Sequence, residues 1–246
     1  MTNSSQRVAI VTGGSKGIGA AISLRLAADG IAVVVNYSSD QAAADNVVAE
    51  IEKNGGKAIA VAADIGDSQS LAALFDAAES AFGGTDILVN NGGIMKLGML
   101  ADFDDTTFER QVAVNLGSVF RGIREGAKRL REGGRIINFS SSVVGLYQPT
   151  YGVYAATKAG VEAMTHIAAK ELGRKHITVN AVAPGPVDTA LFTTGKSEEQ
   201  IKAIAGMNPM GRIGQPDDIA SVVAFLAGSD GGWVNGQTIR ANGGVI

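Results

Sequence analysis

Apolar and polar positions alternate along the chain with two different periods. Short, mostly β-branched runs predict buried parallel strands, whereas the longer stretches between them repeat their apolar positions at helical spacing. Because strand and helix alternate from end to end, we predict an α/β fold: one doubly wound domain over residues 1–246, with a seven-stranded parallel sheet and helices on both faces. The predicted strands are Val8–Val11, Ala32–Asn36, Ala58–Ala62, Ile87–Val89, Arg135–Phe139, Thr178–Val182 and Gln237–Arg240.

Two predicted helices are longer than the others, near Asp104–Arg131 and Gly152–Arg174. Small residues occupy nearly every face of the second helix, although a helix that covers a sheet needs only one apolar stripe. A second apolar face indicates burial against another subunit, so we expect an oligomer. The alternative is that this helix lies under a long loop.

Composition narrows the possible functions. The chain has 246 residues, 46% of them hydrophobic, and a net charge of −3 from 21 basic and 24 acidic residues. Without a basic excess, nucleic acid is not an expected partner. Cys is absent and only two His are present, so neither thiolate chemistry nor a metal site is expected. The sequence has no segment typical of a membrane span or a secretory signal, and the expected location is the cytoplasm.

A glycine-rich segment, Thr12–Gly19 (TGGSKGIG), directly follows the first predicted strand and opens a predicted helix. Glycines allow positive φ angles and a close approach of the backbone to a ligand. The N-terminus of the helix offers free N–H groups and the positive end of its dipole to a pyrophosphate. This strand–loop–helix order predicts a dinucleotide site, and a tight turn without a ligand is the alternative.

The end of the second strand indicates which dinucleotide is bound. NAD sites place a carboxylate there to hold the ribose 2′-hydroxyl. Here the strand ends in Asn36, Tyr37 and Ser38, and the first carboxylate after them is Asp40. Lys16 lies inside the glycine loop, where its ammonium could meet a 2′-phosphate. Charge therefore favours NADPH, and the alternative is a solvated Lys16 with both NADPH and NADH accepted.

Tyr154 and Lys158 are four residues apart on one predicted helix and therefore share a face. A phenol with a pKa near 10 is a poor acid–base group at neutral pH, and a neighbouring ammonium would lower that pKa. The three serines 140–142 follow a predicted strand, at the carboxyl edge where open α/β sheets bind ligands. These residues together predict an acid–base site.

The motifs and their order resemble those of the short-chain dehydrogenase/reductase family over nearly all of the chain. The glycine loop is similar to the family's TGxxxGxG. The other matching segments are Asn90-Asn91-Gly92 (family NNAG), Asn115 (the family's catalytic Asn), Tyr154–Lys158 (YxxxK), and Pro184-Gly185 with Thr189 (PGxxxT). The resemblance implies a Rossmann fold, an NADP(H)-dependent oxidoreductase and a homotetramer.

The resemblance also implies catalytic roles. Ser141, thirteen residues before Tyr154, would hydrogen-bond the substrate oxygen, with Ser142 as the alternative because the triple serine leaves the register open by one. Tyr154 would give its proton to the carbonyl oxygen. Lys158 would hold the ribose hydroxyls and tune Tyr154, and Asn115 would anchor a water that relays protons to Lys158.

The cofactor groove implied by these matches includes Asp64 and Ile65 beside the adenine. The chain reads NNGG where the family has NNAG. If Gly92 replaces the alanine, we expect a freer loop and slightly weaker cofactor binding. The full set of expected cofactor-binding residues is Gly13, Ser15, Lys16, Gly17, Ile18, Gly19, Asn36, Tyr37, Ser38, Asp64, Ile65, Asn91, Gly92, Tyr154, Lys158, Pro184, Gly185, Val187 and Thr189.

The segment Val187–Met210 mixes apolar and polar residues, which predicts a mobile substrate lid. No Arg is obviously placed to clamp a carboxylate, so an uncharged ketone or aldehyde is the expected substrate. The expected substrate contacts are Ser141, Met95, Tyr147, Tyr151 and Phe192.

Two alternatives remain open from the sequence. A 3-oxoacyl-[acyl-carrier-protein] reductase would need basic residues near the mouth of the site, to receive an acidic carrier. The available ones are Lys128, Arg129, Arg131, Arg174 and Lys175, which could equally be cations at solvated helix ends. The second alternative is a regulator that binds NADPH without turnover.

Overall fold

Seven parallel strands form one sheet in a computed structural model that describes residues 6–246. The strand order is β3-β2-β1-β4-β5-β6-β7, and every pairing is parallel. The predicted doubly wound α/β fold is therefore confirmed. The strands are β1 (Val8–Val11), β2 (Ala32–Tyr37), β3 (Ala58–Ala62), β4 (Thr85–Asn90), β5 (Leu130–Phe139), β6 (Thr178–Pro184) and β7 (Thr238–Ala241).

Helices cover both faces of the sheet, and two buried apolar clusters lie between helices and sheet, one on each face. Alternate residues of β1 belong to opposite clusters: Ala9 and Val11 to one, Val8 and Ile10 to the other. A strand that is buried on both faces must be apolar throughout, which is why the central strands were recognisable in the sequence. The helices are α1 (Gly17–Ala28), α2 (Gln41–Lys53), α3 (Ser70–Phe82), α4 (Asp105–Val112), α5 (Ser118–Arg129), α6 (Val143–Leu146), α7 (Gly152–Leu172), α8 (Ala190–Thr193), α9 (Glu198–Met207) and α10 (Pro216–Ala227).

The order of the strands reverses between β1 and β4. After β3 the chain crosses back over the sheet, and β4 pairs with the other side of β1. The loops that leave β1 and β4 therefore diverge at the carboxyl edge and open a crevice. In sheets of this kind the ligand binds in that crevice.

The long helix predicted near Asp104–Arg131 is interrupted. A π-helical turn, Ala113–Gly117, separates α4 from α5, and β5 already begins at Leu130. A π turn holds one extra residue, and it was not predicted from the sequence. The helix predicted near Gly152–Arg174 is continuous to Leu172 and then tightens into a 3₁₀ turn.

Candidate active site

The glycine loop between β1 and α1 bends tightly enough to bring backbone atoms into contact. Gly13 has a φ of +60°, and a Cβ on Gly19 would lie 2.0 Å from the carbonyl oxygen of Gly13. No side-chain larger than a hydrogen fits at Gly19 without moving the loop. Lys16, which precedes α1, makes no side-chain capping bond. The first N–H groups of α1 thus stay free to bind an anion.

Two asparagines hold this loop in place. Asn36 Oδ1 accepts the N–H of Gly13 at 3.1 Å, and its Nδ2 donates to the carbonyls of Val61 and Ala63. Asn91, in the loop after β4, donates to the carbonyl of Thr12 at 2.9 Å. Asn36 is buried with both ends of its amide engaged, so direct contact with a ligand would require it to give up one of these bonds. Its position at the end of β2 shapes the glycine loop.

Lys16 and Asp40 form an ion pair that joins the glycine loop to the start of α2. Asp40 is the N-cap of α2 and accepts the N–H of Ala43 at 3.0 Å. The Lys16 hydrogen bond, followed by that of Ala43, holds the pKa of the Asp40 carboxyl below its usual value. The cation suggested by the sequence for a 2′-phosphate thus has an anionic partner within the chain.

The three consecutive serines after β5 make different contacts. Ser140 donates to Glu162 Oε1 at 2.6 Å. Ser142 is buried, donates to the carbonyl of Ala183 and accepts a hydrogen bond from Asn242 Nδ2 at 2.9 Å. Ser141 lies between them: its Oγ accepts the N–H of Val143 at 3.4 Å, and its hydroxyl is near enough to that of Tyr154 to favour the phenolate. Of the three, Ser141 is the one whose hydroxyl shares the site with Tyr154.

Tyr154 and Lys158 lie on the buried face of α7, one turn apart. The Lys158 ammonium is 5.7 Å from the centre of the Tyr154 ring and donates to the carbonyl of Phe139, at the end of β5. Burial raises the pKa of Tyr154 to about 12, although the nearby Ser141 hydroxyl opposes the shift. Burial also lowers the pKa of Lys158 to about 8. The expected lowering of the phenol pKa by Lys158 is not found: desolvation sets the direction of the shift, and the opposing contribution comes from Ser141.

Asn115 occupies the middle of the π turn and is fully buried. Its Oδ1 accepts the N–H of Ile94 at 2.9 Å, and its Nδ2 donates to the carbonyl of the same residue at 2.8 Å. This clamp fixes the strand-to-helix loop beyond β4. The atoms that surround a Cβ on Gly93 are Asn115 Oδ1 and Lys158 Nζ, so the clamp lies beside the Tyr–Lys pair.

The predicted adenine side of the crevice is more charged than expected. Asp64 forms an ion pair with Arg110 at 2.7 Å and accepts the N–H of Gly66. Burial alone would raise the pKa of the Asp64 carboxyl, but these two bonds hold it below its usual value. Arg121 donates from one nitrogen to the carbonyls of Ile65 and Gly66 and to that of Ala113 in the π turn. Neither arginine was identified from the sequence, because contacts between distant segments have no local pattern.

The absence of a side chain at Gly92 leaves room for the side chain of Ile65. A Cβ at Gly92 would lie 2.5 Å from the Cδ1 of Ile65, which fills the space of an alanine methyl. The Gly92 N–H donates to the Thr12 hydroxyl at 3.0 Å. This bond ties the loop after β4 to the end of β1.

The loop after β6 reaches the same crevice. Gly185 is bonded through its N–H to the carbonyl of Ala241, and the methyl of Thr189 lies 3.1 Å from a Cβ on Gly17. Val187 is buried and makes a bridge with Gly214. The predicted motif segments after β1, β4, β5 and β6 thus converge on one edge of the sheet.

Residues expected around the substrate lie at the mouth of the crevice, with differing exposure. Tyr151 packs edge-on against Tyr154, with ring centres 6.5 Å apart, whereas Tyr147 is 83% exposed in a left-handed conformation. Met95 and Phe192 are half-buried. Leu191, on the predicted lid, is exposed, and sequence reasoning missed further exposed apolar side chains in the loop after β4 and in the 187–210 segment: Leu97, Met99, Leu100, Met207 and Met210.

Within residues 6–246 no helix is long and apolar enough to cross a membrane, and no cluster of three or more potential metal-ligating side chains occurs.

The chain is similar to known proteins over nearly all of its length. A family model described as "Enoyl-(Acyl carrier protein) reductase" matches residues 13–246. A "Short-chain type dehydrogenase/reductase" of Picea abies is 47% identical over 98% of this chain and 92% of the relative. An "NADPH-dependent aldehyde reductase-like protein, chloroplastic" of Arabidopsis thaliana is 44% identical over 98% of this chain and 94% of the relative. The structure of a short chain dehydrogenase from Burkholderia cenocepacia in complex with NADP superposes with a TM-score of 0.92, at 39% identity and 99% coverage of both chains.

Proposed function

Because the chain belongs to the short-chain dehydrogenase/reductase family, we propose that it is an NADPH-dependent oxidoreductase that reduces a ketone or aldehyde to an alcohol, with Tyr154 as the general acid. The observation that carries the proposal is the buried pair Tyr154 and Lys158, with the half-buried Ser141 beside it, at the carboxyl edge of the sheet. It lies where the glycine loop and the loop after β4 open the crevice.

The residues of the crevice fit a dinucleotide. The contact between Gly13 and Gly19 and the uncapped N-terminus of α1 form a cradle for a pyrophosphate. Lys16 would bind a 2′-phosphate, and Asp64 with Ile65 would face the adenine. The relatives named for NADPH or solved with NADP support this choice of cofactor. When bound, the nicotinamide supplies the hydride equivalent for the reduction.

Residues of the protein donate the proton to the substrate and stabilise the charge that remains. With a pKa of about 12, Tyr154 keeps its proton at neutral pH and can donate it to a developing alkoxide. Ser141 would share the substrate oxygen, which fixes the carbonyl between two hydroxyl groups. With a pKa of about 8, Lys158 is mostly charged at neutral pH and stabilises the phenolate that remains. Asn115 would position the π turn so that it can hold a water. That water would relay a proton to Lys158.

The mouth of the crevice favours an uncharged substrate. Exposed apolar side chains border it, among them Leu100 and Leu191. The segment 187–210 would act as the lid: Thr189 touches the glycine loop, and α9 starts with a capping box between Ser197 and Gln200. Closure of this segment would exclude water during the reaction.

The basic residues considered for an acyl carrier protein lie on the wrong edge of the sheet. Lys128 and Arg129 end α5 immediately before the amino end of β5, whereas the site is at its carboxyl end. Arg129 is also paired with Asp76 and Glu79. Arg174 and Lys175 precede β6 in the same way, and Arg131 is paired with Asp86. These positions do not supply the basic site mouth that a carrier-protein reductase would need, so they give that alternative no support.

We also propose a homotetramer in which each subunit uses two apolar faces. A groove of about 300 Å³ between α5 and α7 is lined by the exposed Phe120 and Ile167. A second face carries Phe225, near the end of α10, and the 98% exposed Trp233, which follows that helix. Two self-complementary faces on one subunit generate a closed tetramer.

The test is turnover of a substrate panel by the wild type and by Tyr154→Phe. We expect NADPH oxidation with a diketone and an aryl ketone, and a loss of about 10²–10⁴-fold in kcat in the variant with unchanged NADPH affinity. Preference for an acetoacetyl thioester would instead favour the carrier-protein reductase. Tight NADPH binding without turnover of any substrate would refute the catalytic proposal and favour a regulator.

A further inference from the structure

The Lys16–Asp40 ion pair connects the two loops that leave β1 and β2. Lys16 immediately precedes α1, and Asp40 caps α2. The side chains are 62% and 42% exposed, so the pair lies at the surface of the crevice and a ligand can reach it. Ser38 and Ser39, between the end of β2 and Asp40, are exposed and uncharged.

We propose that Asp40 is a specificity-determining residue whose carboxylate competes with the 2′-phosphate of the cofactor for Lys16. This inference rests on the proposed NADP(H) function of the same loop. Cofactor preference would then be set by two oppositely charged residues. Lys16 attracts the 2′-phosphate, and Asp40 keeps Lys16 away from it.

The two anions compete because the Lys16–Asp40 ion pair must change when a dianionic phosphate approaches Lys16. Either Lys16 leaves Asp40, or it is shared and the carboxylate then repels the phosphate. A cofactor with a plain 2′-hydroxyl meets neither penalty, because it can donate a hydrogen bond to a carboxylate. Asp40 therefore lowers the affinity for NADPH relative to NADH. Since the Asp40 pKa is below its usual value, this competition operates at every pH near neutrality.

The exposure of the pair limits the size of the effect. Two unit charges about 4 Å apart in water interact by about 1 kcal/mol, which corresponds to about a fivefold change in a dissociation constant. Mobile ions screen exposed charges, so the effect must shrink as salt is raised.

The decisive variant is Asp40→Asn. Asparagine caps helices as well as aspartate does, so the bond to the Ala43 N–H is kept while the charge is removed. We expect NADPH to bind about fivefold more tightly than to the wild type at low salt, with NADH binding unchanged or weaker. The gain should disappear at about 0.5 M salt. The readout is the dissociation constant of each dinucleotide, measured by titration calorimetry without any substrate.

Asp104→Asn is the matched control. Asp104 caps α4 through the N–H of Thr107 at 2.8 Å and forms no ion pair with any residue of 6–246. Asp104→Asn also removes one charge and keeps the helix cap. It should leave the dissociation constants of NADPH and NADH unaltered. Equal NADPH tightening in both variants would overturn the proposal, because the effect would then be one of net charge.

Lys16→Gln separates this proposal from the one on which it rests. Weaker NADPH binding in Lys16→Gln, with no tightening in Asp40→Asn, would overturn the competition but leave the 2′-phosphate site intact. No loss of NADPH affinity in Lys16→Gln would refute the proposed phosphate site itself. A clear loss of NADH affinity in Asp40→Asn, without any NADPH gain, would show that Asp40 binds the ribose and would also overturn the competition.

Discussion

Burial sets the protonation states of the two groups at the centre of the site. Tyr154 and Lys158 are both within the hydrophobic interior, at 9% and 4% exposure. Desolvation disfavours the charged form of each, so it raises the pKa of the tyrosine and lowers that of the lysine. The two shifts leave a protonated phenol beside an ammonium that titrates near physiological pH.

The reductive reaction should therefore lose activity at alkaline pH. The Lys158 ammonium loses its proton as pH rises through about 8, whereas Tyr154 keeps its proton until about 12. We expect kcat/KM to be flat near neutrality and to fall with a slope of one proton above about pH 8. In Lys158→Arg the descending limb should move to higher pH, at a lower rate. A profile without any fall up to about pH 9.5 would contradict this assignment.

The serines 141 and 142 should separate catalysis from stability. Ser142→Ala breaks the bonds to Ala183 and Asn242 and leaves the buried amide of Asn242 without this acceptor. We expect it to lose about 1–3 kcal/mol of unfolding free energy and to keep most of its turnover. Ser141→Ala should keep its melting temperature and lose kcat. The reverse result would assign the catalytic hydroxyl to Ser142.

At the scale of elements, the π turn between α4 and α5 joins several parts of the site. Asn115 clamps Ile94 in the loop after β4, and Arg121 connects Ala113 to the loop after β3. A straight helix would place these residues at other angles around its axis, because it has one residue fewer in the turn. The loops on either side of the crevice are thus tied to one irregular segment.

The glycine loop should tolerate no side chain at Gly19. In Gly19→Ala the new Cβ would lie 2.0 Å from a backbone oxygen, so the loop must open. We expect loss of NADPH binding together with a lower melting temperature. Gly206→Ala in α9 is the control: it has no atom within 4 Å of the new Cβ, and it should be neutral or gain up to about 1 kcal/mol. Unchanged NADPH affinity in Gly19→Ala would exclude this loop from the cofactor site.

At the scale of the whole molecule, the carboxyl edge of the sheet and the apolar faces are separate regions. The crevice is formed by loops after β1, β4, β5 and β6, whereas the exposed apolar side chains of α5 and α7 lie on the outer side of the helices. Assembly can therefore be changed without touching the residues proposed for catalysis.

A charged side chain on either apolar face should disrupt one of the two interfaces of the proposed tetramer. Ile167→Glu and Trp233→Glu should each yield dimers, and the double variant monomers, because each replaces an apolar contact with a buried charge. Light scattering after size-exclusion chromatography measures the mass. Met207→Glu, at an exposed apolar residue of α9 outside both faces, is the control. A monomeric wild type would refute the assembly.

The apolar runs determined the central strands, because a strand buried on both faces must be hydrophobic throughout its length. β1 and β3 have the predicted bounds, and the predicted core of every other strand is paired in the sheet. The parallel doubly wound architecture followed from the alternation of strand and helix. The glycine loop was also visible in the sequence, because each strained or crowded backbone position required its own glycine.

Only the tertiary structure decided how those segments meet. It assigned different partners to the three serines, gave Asn36 a structural contact and paired Lys16 with Asp40. It also put the basic helix ends at the edge opposite the crevice. Each of these facts depends on contacts between residues far apart in the chain or on the direction of a strand. Local periodicity and spacing describe neighbours along the chain, and they carry no information on such contacts.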